Sequence, residues 1–278
     1  MAGTMLSMTT DFRTDRGCPG PDLQLIAEAG FTHVHWCHHW AGDFIYADCE
    51  IEQIARWLRE YGLQVCDLHG TSGEEKDWCS PREHERQAGV ELVINRIDMA
   101  ASLGSDVVIM HLSASPAAPG QDTEVWDRIR RTFDALRPAA GDRGVRIAIE
   151  NGSFDDIEKV LGAYGPDFVG LCYDSGHGNL APGSLDRLEK LKGRLISVHL
   201  HDNGGDKDSH KLPFMGTVDW DRLAKIIAAS SYRKCVSTEA VIHNTGIADS
   251  KQFLADGLAA CERVHRMIEG HRQRGDAK

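Results

Sequence analysis

The sequence has no long apolar run; nothing in it approaches the roughly 18 consecutive residues needed to cross a bilayer. Positive charge is scarce, with 31 Lys and Arg against 42 Asp and Glu in 278 residues and a net charge of −11. That balance argues against an extended nucleic-acid-binding surface. No GxGxxG follows a candidate strand and no GxxxxGK[ST] occurs, so the common dinucleotide and P-loop signatures are missing. The eight cysteines (Cys18, Cys37, Cys49, Cys66, Cys79, Cys172, Cys235 and Cys261) form no CxxC pair. They read as reduced thiols, several buried as small apolar residues, which argues against a thiolate metal site. Met1–Thr10 lacks a basic stretch followed by an apolar one, so a cytoplasmic protein is expected. No linker or low-complexity segment interrupts the chain, and only 273–278 reads as frayed.

What is present is regular alternation. The 41% hydrophobic content suffices for a sizeable core. Short β-branched runs predict strands at Met5–Met8, Thr32–Trp36, Gln64–Leu68, Asp106–His111, Arg146–Glu150, Phe168–Tyr173, Leu195–Leu200 and Lys234–Thr238. Helical spacing covers Ile51–Glu60, Arg82–Leu103, Glu124–Ala140, Phe154–Leu161, Asp186–Leu191, Asp219–Ala229 and Lys251–Glu269. Gly30, Gly62, Gly104 and Gly144 stand where helices should end before the next strand. Strands joined by helices form parallel sheets. Eight such units in a chain of this length predict a single-domain α/β protein, a (β/α)8 TIM barrel over residues 1–278.

A barrel does its chemistry at the C-terminal ends of its strands. Here strand 3 ends at His69, strand 4 at His111, strand 5 at Glu150 and strand 6 at Asp174, with His177 just beyond. Strand 7 carries His199, His201 and Asp202, and strand 8 is followed by Glu239. Six consecutive strands thus end in a side chain able to bind a divalent cation. A carboxylate at the mouth of an apolar barrel is costly unless paired, hydrogen-bonded or bound to a cation. Glu150, Asp174, His199 and Glu239 come from four adjacent strands and can converge on one ion. Three carboxylates and an imidazole suit Mn²⁺, Zn²⁺, Co²⁺ or Mg²⁺. They also leave one carboxylate free to transfer a proton. Taken singly, each carboxylate is as well explained as a helix cap or loop acceptor; the joint pattern favours metal.

Fourteen histidines are many, about one residue in twenty. His33 and His35 alternate onto one face of strand 2, but neither they nor His38 and His39 have a second feature to assign them a role. His84, His243, His265 and His271 fall on helices or late loops and read as surface residues.

Ile149-Glu150-Asn151, the run from Gly170 through Asp174 to His177, the run from Val198 to Asn203, and Gly216–Trp220 leading to Thr238-Glu239 resemble the xylose isomerase-like TIM barrels. They are most similar to the sugar phosphate isomerase/epimerase branch. The resemblance implies a metal held by Glu150, Asp174, His199 and Glu239. It also implies that Glu150 and Glu239 act as acid and base on opposite faces of the substrate, and that His177 touches it. Endonuclease IV, a trinuclear phosphodiesterase of the same superfamily, has a ligand set resembling these residues together with His69, His111, Asp208 and His210. Against that relation, the opening of the chain and the DNA-wedging loops lack counterparts.

The expected function is therefore isomerisation or epimerisation of a small sugar, sugar phosphate or related polyol or keto compound. It would proceed by proton transfer through a metal-stabilised enediolate. One ion is expected, with two or three as the alternative, and His177 and His201 would orient hydroxyls. His201 could instead point outward and act through a neighbour. A lyase or dehydratase would use the same enediolate. An endonuclease IV-like phosphoesterase would engage His69, His111, His177, Asp208 and His210 around further ions. A metal-stabilised binding protein without turnover is the third class. Lys207 and Lys211 read as an ordinary solvated loop beside the pliable Gly204-Gly205. The implied partner is a carbohydrate-like small molecule, with no nucleic acid, no membrane and a possible homo-oligomer.

Overall fold

A computed structural model of the chain describes residues 4–14, 16–71, 73–112, 122–150 and 152–276. Asn151, quoted above, lies outside the described residues. The strands are Leu6–Thr9 (β1), His33–Trp36 (β2), Gln64–His69 (β3), Val107–His111 (β4), Arg146–Glu150 (β5), Val169–Asp174 (β6), Leu195–His199 (β7) and Val236–Thr238 (β8). The helices are Gly20–Ala29 (α1), Asp48–Tyr61 (α2), Glu83–Ser102 (α3), Asp122–Arg143 (α4), Phe154–Ala163 (α5), Ser175–Leu180 (α6), Ser184–Leu191 (α7), Trp220–Ala229 (α8) and Ser250–Asp276 (α9). The strands run in the order β7-β6-β5-β4-β3-β2-β1-β8. A parallel bridge from Leu200 to Thr238 joins the two ends. Eight parallel strands with intervening helices make the expected (β/α)8 barrel.

Every predicted strand is found within two residues of its expected bounds. Two helices lack a counterpart in the sequence reading. In α1 the Pro19-Gly20-Pro21 start disguises a helix, although proline fits its first turn without loss. In α6 the glycine-rich Ser-Gly-His-Gly run gives no amphipathic pattern, and the helix forms behind a side-chain cap from Asp174. At the other end, α9 continues into the stretch expected to fray, as far as Asp276. Gly30, Gly62, Gly104 and Gly144 all take the left-handed conformation, as their placement after helices requires.

Contacts group the chain into two compact units. The first comprises 1–38, 56–66 and 171–278. Its core includes Met8, Leu23, Ile26 and Phe253, with Phe12 stacked on Phe253 at 5.8 Å. Trp220, Leu223, Ala224 and Ile227 supply the buried stripe of α8 at the i, i+3, i+4, i+7 spacing. Burial of the larger ones contributes about 1.5–3 kcal/mol each. Asp219 caps this helix by accepting from the Arg222 amide.

The second unit comprises 39–55 and 67–170. Phe133 is fully buried there, 5.5 Å from the ring of Tyr164, 6.2 Å from Trp78 and 6.3 Å from Phe168. The segment at Trp78 presses on α3 at Gly89, where a Cβ would lie 2.2 Å from the Trp78 amide nitrogen. Only glycine admits that approach. Thr132 ties the same segment down, donating to the Trp78 carbonyl at 2.7 Å and accepting from Arg86 at 3.0 Å.

Among the described residues no helix is long and apolar enough to cross a membrane.

Candidate metal and active site

The strand register sets the site. His111 on β4 is level with Glu150 on β5, and Asp174 on β6 is level with His199 on β7. His69 ends β3, and Glu239 follows β8 directly. These side chains therefore stand at or just beyond the ends of their strands.

In the second unit, His69, His111 and Glu150 form one cluster. Glu150 Oε2 lies 3.0 Å from His111 Nε2 and 3.7 Å from His69 Nε2. Glu150 is 1% exposed and His69 4%, so the charge sits out of water. His69 Nδ1 is 2.9 Å from the Gly70 carbonyl, which can only accept. Nδ1 therefore carries a proton, and Nε2 is turned toward Glu150. Two imidazole nitrogens and a carboxylate oxygen this close could hold a cation. Trp40 completes this cluster, its ring 4.6 Å from His69 and 5.3 Å from His111.

The first unit holds two clusters. Glu239 Oε1 lies 2.8 Å from His35 Nε2 and 3.0 Å from His199 Nδ1. This oxygen is buried, and its close contacts with both rings lie outside regular hydrogen-bond geometry. Burial opposes the Glu239 charge, but the fields of His199 and His35 outweigh it and hold the carboxyl well below its ordinary range. Cys37 stands within ligand distance of His35 and Glu239. Burial and the neighbouring Asp11 push its thiol up, so it stays protonated and is a poor ligand.

Asp174 centres the other cluster. Its Oδ1 caps α6 by accepting from the His177 amide at 2.8 Å, and His201 Nε2 sits 3.0 Å from Oδ2. The capping alternative thus holds for this carboxylate alongside its imidazole contacts. Burial works against ionisation, yet His201 and His177 keep the Asp174 carboxyl well below the usual range. Asp208 Oδ2 lies 3.0 Å from both His177 Nε2 and His210 Nε2. Burial opposes protonation of both rings. The field of Asp174 raises His177 to about 11, and the bond to Asp208 raises His210 to about 9. His201 is fully buried and stacks on His210 with centroids 3.8 Å apart and planes 7° apart. Gly176 makes room for it, since a Cβ there would lie 1.9 Å from the His201 ring.

The loop from 202 to 219 hangs on Asp202. This buried carboxylate accepts from the amides of Asn203, Phe214 and Val218 and from the Trp220 indole. Asp202 and Lys211 also exchange both backbone hydrogen bonds at 2.9 Å.

All ten site residues expected from the sequence lie in these clusters: His69, His111 and Glu150 in one unit, and Asp174, His177, His199, His201, Asp208, His210 and Glu239 in the other. Sequence reasoning missed His35, which is fully buried against Glu239. The signal was the alternation in β2, but His33, two residues earlier, is half-buried beside Thr32 and has no part in it. Trp40 left no signal, because it lies in a loop. His84 and His243 are exposed, while His265 and His271 are half-buried outside these clusters.

The chain is thus a (β/α)8 barrel with buried carboxylate–imidazole clusters at its strand ends. The chain belongs to the xylose isomerase-like TIM barrel family, whose profile matches residues 23–257. It is 35% identical to the uncharacterized protein y4fM of Sinorhizobium fredii over 281 aligned positions, covering 91% of this chain and 90% of that one. Among solved structures, D-psicose 3-epimerase, in the presence of D-fructose, superposes with a TM-score of 0.80 at 16% identity, over 95% of this chain and 99% of the other. The IOLI protein with a bound zinc atom superposes at 0.73 with 14% identity, over 96% and 99%. At such identities the likeness is one of fold.

Proposed function

We propose that the chain is a divalent-metal-dependent isomerase or epimerase of a small sugar, sugar phosphate or related polyol or keto compound, working as one barrel domain. Glu150, Asp174, His199 and Glu239 would hold the ion. The observation that carries this is Glu239 Oε1, buried with two imidazole nitrogens within 3.0 Å in contacts outside regular hydrogen-bond geometry. A buried carboxylate oxygen between two imidazole nitrogens is a donor set that suits a divalent cation. The grouping of His69 and His111 around the buried Glu150 points the same way. Sugar epimerases among the solved structures of this fold support the reaction class.

A divalent ion in this donor set supplies Lewis-acid polarisation of a carbonyl and its neighbouring hydroxyl. One of Glu150 and Glu239 takes the carbon-bound proton, and the other returns one. Return to the opposite face is epimerisation, and return to the next carbon is isomerisation. Loss of a leaving group from the same enediolate would be a lyase reaction. His177, whose side chain is about one-third exposed, is placed to meet a substrate hydroxyl. His201 is fully buried on Asp174, so of its two expected roles the one of acting through a neighbour fits its position better than that of orienting a hydroxyl.

The test is deuterium exchange followed by NMR, with metal-loaded protein and a panel of ketoses and keto-polyols. Exchange at the carbon beside the carbonyl is expected, with losses of about 10²–10⁴ in Glu150→Gln and Glu239→Gln. Full activity and full metal content in Glu150→Gln would remove its proton-transfer role.

One observation favours a second reading: Asp208 sits at equal distance between His177 and His210, as a bridging carboxylate would. With His69 and His111 this would hold two or three ions for phosphoester hydrolysis. Metal analysis separates the two, because hydrolysis requires more than one ion per chain.

A further inference from the structure

Arg96 is fully buried on α3, yet the partners of its guanidinium are neutral. Nη2 donates to the carbonyl of Phe44 at 2.9 Å and to that of His39 at 3.4 Å. Nη1 donates to the Asn95 amide oxygen at 2.8 Å, and the guanidinium carbon stands 4.5 Å from the centre of the Tyr46 ring. Asn95 in turn grips Tyr46 by both backbone groups, at 2.9 Å each. A buried cation without a counter-ion among the described residues is a poor stabiliser, and what its contacts fix is position.

What these contacts hold is the loop between β2 and α2. His39 is in the left-handed region at φ 57 and its ring stacks on Phe44 at 4.3 Å. A non-glycine residue stays there only when its surroundings enforce it. The next residue is Trp40, whose ring packs on His69 and His111. Thr71 and Asp43 lace the same loop to the segment after β3, through the Gly42 carbonyl at 2.7 Å and the amides of Glu75 and Lys76.

We propose that Arg96, with Asn95, is a positioning residue that sets Trp40 as the aromatic wall of the His69–His111–Glu150 cluster, against which the C–H face of a small polyhydroxylated substrate rests. The substrate part rests on the sugar-converting function proposed above; the Arg96–Trp40 connection does not.

The test incorporates fluorotryptophan at the six tryptophans and assigns the Trp40 line by Trp40→Phe. In folded Arg96→Lys and Arg96→Met the Trp40 fluorine line should shift or broaden while the other lines hold. Asn95→Ala, which keeps the cation, should move the same line and covers the case in which Arg96→Met fails to fold. An unchanged Trp40 line in these folded variants overturns the proposal. On a turned-over ketose, Arg96→Met should lower kcat/KM about a hundred-fold. Combined with Trp40→Phe it should cost no more than the worse single change, because both act through one ring. Multiplying losses would show that Arg96 acts elsewhere. Should no sugar be turned over, the proposed function fails while the fluorine lines still decide the positioning role.

Discussion

The indole N–H of Trp220 donates to Oδ2 of Asp202 across 2.9 Å, in a place where the carboxylate is fully buried. Four donors converge on that one side chain. Asp202→Ala leaves several of them without a partner, at about 1–3 kcal/mol for each buried group. Denaturant unfolding should show a loss of roughly 3–5 kcal/mol. Trp220→Phe keeps the other three donors, and a loss of about 1–3 kcal/mol is expected. Equal stability of Asp202→Ala and wild type would remove the anchoring role.

Gly176→Ala tests the support of Asp174. Its Cβ would overlap the His201 ring, which has no free volume between Gly176 and His210. His201 must then leave Asp174, and metal affinity should fall about 10–100-fold, the usual cost of losing an orienting partner. Calorimetric titration with Mn²⁺ or Zn²⁺ reads this directly. An unaltered isotherm would mean that His201 does not orient the ligand.

Strong chelation should lower thermal stability as well as activity. A metal bound at a hundred times its dissociation constant contributes about 2.7 kcal/mol. The melting temperature should fall on treatment and recover when the ion is restored. A melting curve indifferent to both would speak against a resident metal.

Tyr164 provides a pH dependence away from the site. Burial raises its hydroxyl to about 12, helped by Asp134, which accepts its hydrogen bond at 3.0 Å. The folded state therefore keeps a proton that the unfolded chain loses near 10. This contribution is complete below pH about 10 and is lost as pH climbs through about 12. Tyr164→Phe should flatten the fall in stability across that window. The phenolate absorbance of the native protein should appear late for one tyrosine more than in the variant.

The barrel and most of the site are legible in the sequence for one physical reason. Strands buried on both faces read as short apolar runs, and a charged residue ending each run stands out. Glu150 after Ile147-Ala148-Ile149 and Asp174 after Leu171-Cys172-Tyr173 are such cases. His35 is harder, because it lies inside its strand among other histidines and only tertiary packing selects it over His33. Trp40 and Arg96 are invisible for a different reason. Their connection runs through backbone carbonyls, which carry no side-chain signature. The α6 helix is hidden because its cap is also a site residue, so one carboxylate answers to two local rules.

The paired backbone bonds between Asp202 and Lys211 make residues 203–210 a closed span on a two-residue base. Asp208 and His210 are thus presented from a segment whose ends are pinned by the barrel. Such a segment can change length or composition while the strands beneath it keep their register. Chemistry on this scaffold can then be varied at the tip of one short span, between the anchored Asn203 and His210.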